Sequence, residues 1–295
     1  MAYYILCIII WPICLFVDLF IKIKRPFVKN NSIRILNYHS ISSIIKDKSF
    51  SHVSVSLKVF SAQMKFLYDN NFNIIDLDDF LEIKKNKQQI PPKMIILTFD
   101  DGYANNYINA FPIISKYSFK AVISVITEYI DKNIPFPWLN KSLLEDEDDK
   151  KLKLPLSKKQ LKTMNDYGIT IASHTRSHRS FSRLDKRDVM KEIMESKKNL
   201  EDILGKKVKY FTYPYGSWGD YDKEDKGIVK SAGYEAALST KVGTNNIESD
   251  IYELRRIPVY NIDGISNFKR KVNGAYDFTG FFQLISFKLK KIINQ

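Results

Sequence analysis

The chain has 295 residues, 44% hydrophobic, 27% charged and 13% aromatic, which describes an ordinary globular protein and not a disordered or fibrous one. Its two cysteines, Cys7 and Cys14, both lie in the apolar N-terminal stretch, so a disulfide framework and any Cys-ligated zinc site in the remainder are excluded. The net charge of +13 is concentrated at the ends, +3 in residues 1–30 and +5 in residues 268–295; with no zinc-finger spacing or aromatic-basic RNA motif beside it, this points to an anionic membrane surface and away from nucleic acid.

Residues 2–17 carry no charge, and the apolar run continues past Asp18 to Ile21. A spanning helix needs about 20 such residues, and Pro12 would kink or turn it. No basic region precedes the run and no small-residue cleavage site follows it, so a removed signal peptide fits poorly. Residues 1–30 are therefore expected to form a membrane-associating segment. Lys22, Lys24 and Arg25 favour a cytoplasmic flank, which leaves the side of the membrane open.

From residue 31 to 267, short β-branched runs alternate with helical patterns. Strands are expected at Ser32–Tyr38, Met94–Phe99, Lys120–Ile126, Ile169–Ala172, Val208–Tyr213, Tyr234–Leu238 and Tyr252–Val259. Phe60, Met64 and Leu67 mark one helical face; Val189, Ile193, Leu200 and Ile203 mark another, starting near Asp185 and ending at Gly205. Such alternation predicts parallel strands, as an open sheet or a closed barrel. Residues 131–156, with an acidic run at 145–149, read as a solvated surface insertion. Residues 268–295 read as a basic amphipathic tail suited to a membrane interface, with a terminal core helix as the alternative; Phe281, Phe282, Leu284, Ile285, Phe287, Leu289, Ile292 and Ile293 interleave with Lys288, Lys290 and Lys291.

Three constellations carry chemistry. The strand ending at Phe99 runs into Asp100-Asp101-Gly102-Tyr103, and α/β folds place their sites at strand C-termini. One carboxylate can bind a metal while its neighbour acts as a base; alone, such a pair is more often a turn or helix cap. After the next-but-one strand comes Ser173-His174-Thr175-Arg176-Ser177-His178. On a helical turn, histidines four apart share one face. With Asp101 they make a His₂-carboxylate set with open positions, the pattern of hydrolytic zinc and related divalent sites. The third piece, Phe211-Thr212-Tyr213-Pro214-Tyr215-Gly216, is a tight loop whose Tyr215 amide could face an oxyanion.

Together with Thr98-Phe99-Asp100-Asp101-Gly102, these motifs resemble the polysaccharide deacetylase, or NodB-homology, family of carbohydrate esterases, over roughly residues 33–275. The resemblance implies a distorted (β/α) barrel with fewer than eight repeats and metal-dependent removal of acetyl groups from N-acetylated sugars. It implies Asp101, His174 and His178 as ligands of one divalent ion, zinc first, with cobalt, nickel or manganese as alternatives. Asp100 would be the general base and the Tyr215 backbone an oxyanion donor. Two departures stand out. Thr212 occupies the place where many members carry an arginine that orients the base, and Arg256 is the candidate substitute. No histidine follows His178 to serve as the usual acid; His39, at the end of the first strand, matches the circularly permuted branch that includes poly-N-acetylglucosamine deacetylases. His52 lies in a polar stretch and is expected to be structural or exposed.

The expected protein is thus a monomeric, membrane-associated de-N-acetylase of a bacterial-type envelope, acting on an amino-sugar polysaccharide. Rival readings are the same chemistry on a lipid-linked or small acylated sugar, a silent glycan-binding protein on the same scaffold, and an unrelated metal phosphoesterase. The last needs more ligands than are present.

Overall fold

The structure, a computed structural model, describes residues 31–42, 53–139 and 147–293. The expected membrane segment 1–30, His52 and the first members of the acidic run lie outside the described residues. Among the described residues, no helix is long and apolar enough to cross a membrane.

The architecture follows from strands that are buried throughout. In β5 (Met94–Phe99) all six residues are buried, as expected of a parallel strand covered on both sides. It pairs in parallel with β1 (Arg34–Tyr38) along one edge. On its other edge it meets β4 (Asn73–Ile74) at its start and β6 (Val122–Val125) at its end. The ladder continues through β7 (Thr170–Ser173), β8 (Tyr210–Thr212), β9 (Ala236–Val242) and β10 (Leu254–Pro258), and β10 pairs back with β1. Seven parallel strands therefore close a ring, with β4 added outside it. Each of the seven expected strands is present, most of them shortened at the ends; the one expected to stop at Leu238 runs on to Val242. Two-residue strands β2 (Ser40–Ile41) and β3 (Ser54–Val55) pair separately.

Alternation along these strands divides the core. Ile35, Ile96, Val122, Ala172, Tyr210, Ala236, Leu238 and Leu254 form one apolar cluster, while Leu36, Leu97, Ile123, Ile171, Phe211 and Ile257 pack in a second one with the helices. Positions two residues further along the first set share its orientation and are polar: Asn37, Thr98, Ser124, Thr212 and Arg256, all buried. The barrel interior is thus apolar at the strand N-termini and polar at the C-termini.

Helices α1 (Leu57–Asp69), α2 (Leu77–Lys85), α3 (Phe111–Lys116), α4 (Glu147–Lys153), α5 (Lys158–Tyr167), α6 (Lys186–Leu204), α7 (Lys223–Ser231), α8 (Ile265–Val272) and α9 (Thr279–Ile293) complete the described elements. The Asp185 side chain caps α6 by accepting from the Asp188 N–H, and Gly205 ends it in the left-handed region. Phe268 and Val272 of α8 lie in the core and Ala275 is buried, so the packed body continues past residue 267 into the stretch expected as tail.

The 131–156 stretch is more than a solvated insertion. Its Phe136 and Leu139 pack with Tyr103 and Ile126. On its return, Leu156 donates its N–H to the Gly102 carbonyl, and Ala104 donates to the Leu154 carbonyl. The insertion is stitched to the loop that carries the paired carboxylates.

Candidate active site

The C-terminal ends of five barrel strands bring the singled-out residues to one mouth. β5 delivers Asp100 and Asp101, β7 delivers His174, β8 leads to Tyr215, β10 carries Arg256, and β1 ends beside His39. Backbone bonds from Asp100 N–H to the Tyr38 carbonyl and from His174 N–H to the Val125 carbonyl extend the ladders one step beyond the strands.

Arg256 is fully buried and grips Asp100 with both terminal nitrogens, each 2.7 Å from a different carboxylate oxygen. The guanidinium also donates to the Ser239 carbonyl (2.7 Å), Asn37 Oδ1 (3.1 Å) and Thr98 Oγ1 (3.2 Å). The polar layer of the barrel thus serves as its seat, which is what a buried ion pair requires. Burial alone would raise the Asp100 carboxyl; Arg256 outweighs it, aided by His174 and His39, and holds the group well below the usual carboxylate range. His39 Nε2 lies 4.0 Å from Asp100 Oδ2, with the side chain partly exposed at the mouth. Asn106 donates to the His39 carbonyl, Asn105 accepts from the Ile41 N–H and donates to Ser40 Oγ, and Asn109 donates to the Ile41 carbonyl. These asparagines lie on or beside a π-helical turn, Asn106–Ala110. They clamp the segment that bears His39.

Asp101 Oδ1 lies 3.6 Å from His174 Nε2 and 3.6 Å from His178 Nε2. His174 Nδ1 is 2.8 Å from the Thr212 carbonyl, an acceptor, so Nδ1 carries the proton and Nε2 presents a lone pair. That lone pair faces a carboxylate oxygen at a distance too long for a hydrogen bond. Burial lowers the His174 affinity for protons, and burial followed by His174 lowers that of His178 still further, so both rings stay neutral, the form a cation binds. One ligand atom from each of the three residues falls within 4.8 Å of the others. The donors fit a single divalent cation. Burial, then the charge of Asp100, push the Asp101 carboxyl up to about 8; a cation removes the reason for that proton.

The two histidines are not on a helical turn, contrary to the spacing argument. They meet because the loop folds back: Thr175 (φ +65°) and His178 (φ +63°) are left-handed, as are Asp101 (φ +72°) and Tyr215 (φ +59°). Such conformations cost roughly 1–3 kcal/mol each and persist where surrounding structure enforces them. Here Thr175 Oγ1 accepts from the His178 N–H, and buried Glu192 of α6 accepts from Ser177 N–H (2.8 Å) and Ser177 Oγ (2.5 Å). Glu192 was missed in the sequence because an acidic residue on an amphipathic helix reads as solvated. At Gly216 (φ +66°) a Cβ would stand 2.9 Å from the Tyr213 carbonyl oxygen, so only glycine permits the turn that presents Tyr215.

Trp138, from the insertion, was also missed. Its ring centroid is 5.0 Å from that of His178, and its Nε1–H donates to Tyr103 Oη at 2.7 Å. Tyr103 in turn opposes the rise of the Asp101 carboxyl.

The polysaccharide deacetylase family model matches residues 87–237, about half of the chain and the part holding Asp100, Asp101, His174, His178 and Tyr215. The chain belongs to the polysaccharide deacetylase family. YxkH of Bacillus subtilis, carrying that family's name, is 28% identical over 239 residues, spanning 81% of this chain and 74% of its own. The poly-β-1,6-N-acetyl-D-glucosamine N-deacetylase of Staphylococcus aureus is 27% identical over 275 residues, 86% of this chain and 87% of its own. The Streptococcus pyogenes deacetylase PplD superposes with a TM-score of 0.69 at 22% identity, over 82% of this chain and 98% of its own, which confirms the distorted (β/α) barrel. The protein is a hydrolase of the polysaccharide deacetylase type, with a site suited to one divalent ion.

Proposed function

We propose that the protein removes N-acetyl groups from a polymer of N-acetylglucosamine in a bacterial-type envelope, releasing acetate and leaving a free amine. The polymer class is the one for which the S. aureus relative is named. The observation that carries the reading is the arginine-gripped Asp100 carboxylate beside the Asp101, His174 and His178 donors. A divalent ion held by these three donors supplies polarisation of the acyl oxygen and acidification of a water. Zinc is assigned first because two imidazoles, one carboxylate and open positions form a hydrolytic zinc set; cobalt, nickel and manganese are the alternatives. Asp100 takes the proton from the attacking water, and Arg256 keeps both its oxygens ionised and oriented. The Tyr215 N–H donates to the oxygen on which charge develops. His39 gives a proton to the leaving nitrogen, which leaves poorly unless protonated.

Acetate release from β-1,6-linked poly-N-acetylglucosamine tests this, with loss on chelation and recovery with zinc. Asp100→Asn is expected to keep its metal and lose turnover by about 10²-fold or more. His39→Ala should lose the alkaline limb of kcat/KM with metal content unchanged. Wild-type turnover in the first variant removes the base assignment; an unaltered pH profile in the second removes the acid.

Membrane association belongs to the same proposal. It is supported by the apolar run at 2–21 and by α9, which exposes Phe281, Leu289 and Ile292 beside Lys288, Lys290 and Lys291. Flotation with anionic vesicles tests it: if deleting residues 1–30 and 279–293 leaves flotation unchanged, the ends are not the anchor.

A further inference from the structure

We propose that Gln283 of α9 is a positioning residue for the oxyanion donor: its side-chain amide closes the end of β9 and so fixes the turn that presents the Tyr215 N–H. The proposal rests on the deacetylase reading above. β8 ends at Thr212, and the chain then leaves the sheet through Pro214. It stays bonded to β9 on the way out: the Tyr213 N–H donates to the Leu238 carbonyl, and the Thr240 N–H donates to the Gly216 carbonyl. Along a strand, residues two apart turn their backbone groups to the same edge. The Thr240 carbonyl and the Val242 N–H are therefore next on that edge, past the point where β8 has turned away. Gln283 meets both. Its Oε1 accepts from the Val242 N–H at 2.9 Å, and its Nε2 donates to the Thr240 carbonyl at 3.1 Å. One primary amide thus stands where the next peptide group of a neighbouring strand would stand, and it satisfies two main-chain groups at once.

Thr240 connects this closure to the site. Besides its N–H bond to Gly216, its hydroxyl donates to the Tyr215 carbonyl. Tyr215 is left-handed (φ +59°), a costly conformation for a residue with a side chain, which persists where neighbours enforce it. The enforcing neighbour is Thr240, and behind it stands Gln283, whose Nε2 also lies 3.4 Å from Ser217 Oγ in the same turn. α9 is set close enough to reach: a Cβ on Gly280 would collide with the Val242 carbonyl oxygen, and the Phe287 ring lies against Gly219. A donor aimed at a developing charge works only when it is held in place beforehand, and a displacement of about 1 Å costs up to about 10²-fold in rate. The aim of this one is set from a helix that carries none of the residues assigned to the cation or to proton transfer.

The test uses the full chain loaded with zinc and a β-1,6-linked N-acetylglucosamine pentamer, with turnover taken per bound zinc. Gln283→Met keeps the length of the side chain and removes its hydrogen bonds. It is expected to lower kcat about tenfold, short of the 10²–10³ lost when an oxyanion donor is removed outright. KM, the pentamer dissociation constant and zinc affinity should stay within about twofold, because the lost interaction is made only in the transition state. A glucosamine methylphosphonamidate, tetrahedral at phosphorus, should bind about tenfold more weakly, in step with kcat. Thr240→Val removes only the hydroxyl bond to Tyr215 and should show the same split. Combined with Gln283→Met, it should cost less than the product of the two single effects, since both act through one turn. Unchanged kcat in Gln283→Met overturns the proposal. So does a fall in kcat matched by equal loss of pentamer or zinc binding, which marks a general structural role, and so do fully multiplicative effects in the double variant. If the wild type releases no acetate, the deacetylase reading fails, and hydrogen exchange in the zinc-free protein still decides the positioning. Exchange at the Gly216 and Thr240 amides about tenfold faster in Gln283→Met supports it; wild-type exchange rates there overturn it.

Discussion

The double variant His174→Ala/His178→Ala is expected to lose cation binding and acetate release together, while the barrel stays folded. Two of three converging donors disappear, and a lone carboxylate does not retain a transition-metal ion through dialysis at neutral pH. Elemental analysis after dialysis checks the first part and the acetate assay the second. A stoichiometric ion remaining in the double variant would place the metal elsewhere. The proton on Asp101 adds a pH signature. In the metal-free protein its carboxyl titrates near 8, far above the unfolded range near 4. Between those values the folded state binds more protons than the unfolded one, so metal-free stability falls as pH rises from about 4 toward 8. Since a cation must displace that proton, zinc uptake by the wild type should strengthen over the same interval, by up to about tenfold per pH unit. Calorimetric titration at pH 6 and pH 8 measures it, and equal affinities at both would refute the shift.

Arg256→Met should destabilise the protein by about 3–5 kcal/mol, the usual result of stranding one member of a buried ion pair, and should also reduce turnover. The variant leaves Asp100 buried with its principal counter-charge gone. In the wild type the depressed Asp100 pKa contributes stability that is present above the unfolded carboxylate range and is lost only in strong acid. With the guanidinium removed, burial dominates and the sign reverses: Arg256→Met should lose stability relative to wild type as pH rises above about 4. Urea denaturation at several pH values reads this directly. Adding Asp100→Asn to Arg256→Met should restore much of the stability and none of the activity, and that non-additivity separates the ion pair from simple packing.

These effects show where local pattern sufficed and where it did not. β5 and β7 were legible because strands covered on both sides read as short, largely apolar runs, and their ends announced Asp100, Asp101 and His174. Arg256 was legible as a candidate, yet its partner lies 156 residues away, a distance no periodicity spans. His174 and His178 converge through left-handed loop residues, where a helical turn was expected; the ring pairing was anticipated for a reason the backbone does not use. Glu192 and Trp138 were hidden by their surroundings, one on a charged helix and the other beside an acidic run. β4 was too short, at two residues, to show any alternation. Their roles exist only after the chain has closed on itself.

That closure has a consequence for how the enzyme is born. β1 pairs with both β5 and β10, so the first strand made waits for the last. During synthesis Asp100 precedes Arg256 by 156 residues, roughly 8–30 s at ribosomal rates of about 5–20 residues per second. Through that interval the carboxylate has no guanidinium to stabilise it in a dry interior, so the nascent barrel has reason to stay open and hydrated at that seam. A chain that stops short of residue 256 lacks both the closing strand and the charge that holds the base, so incomplete products are inactive by construction.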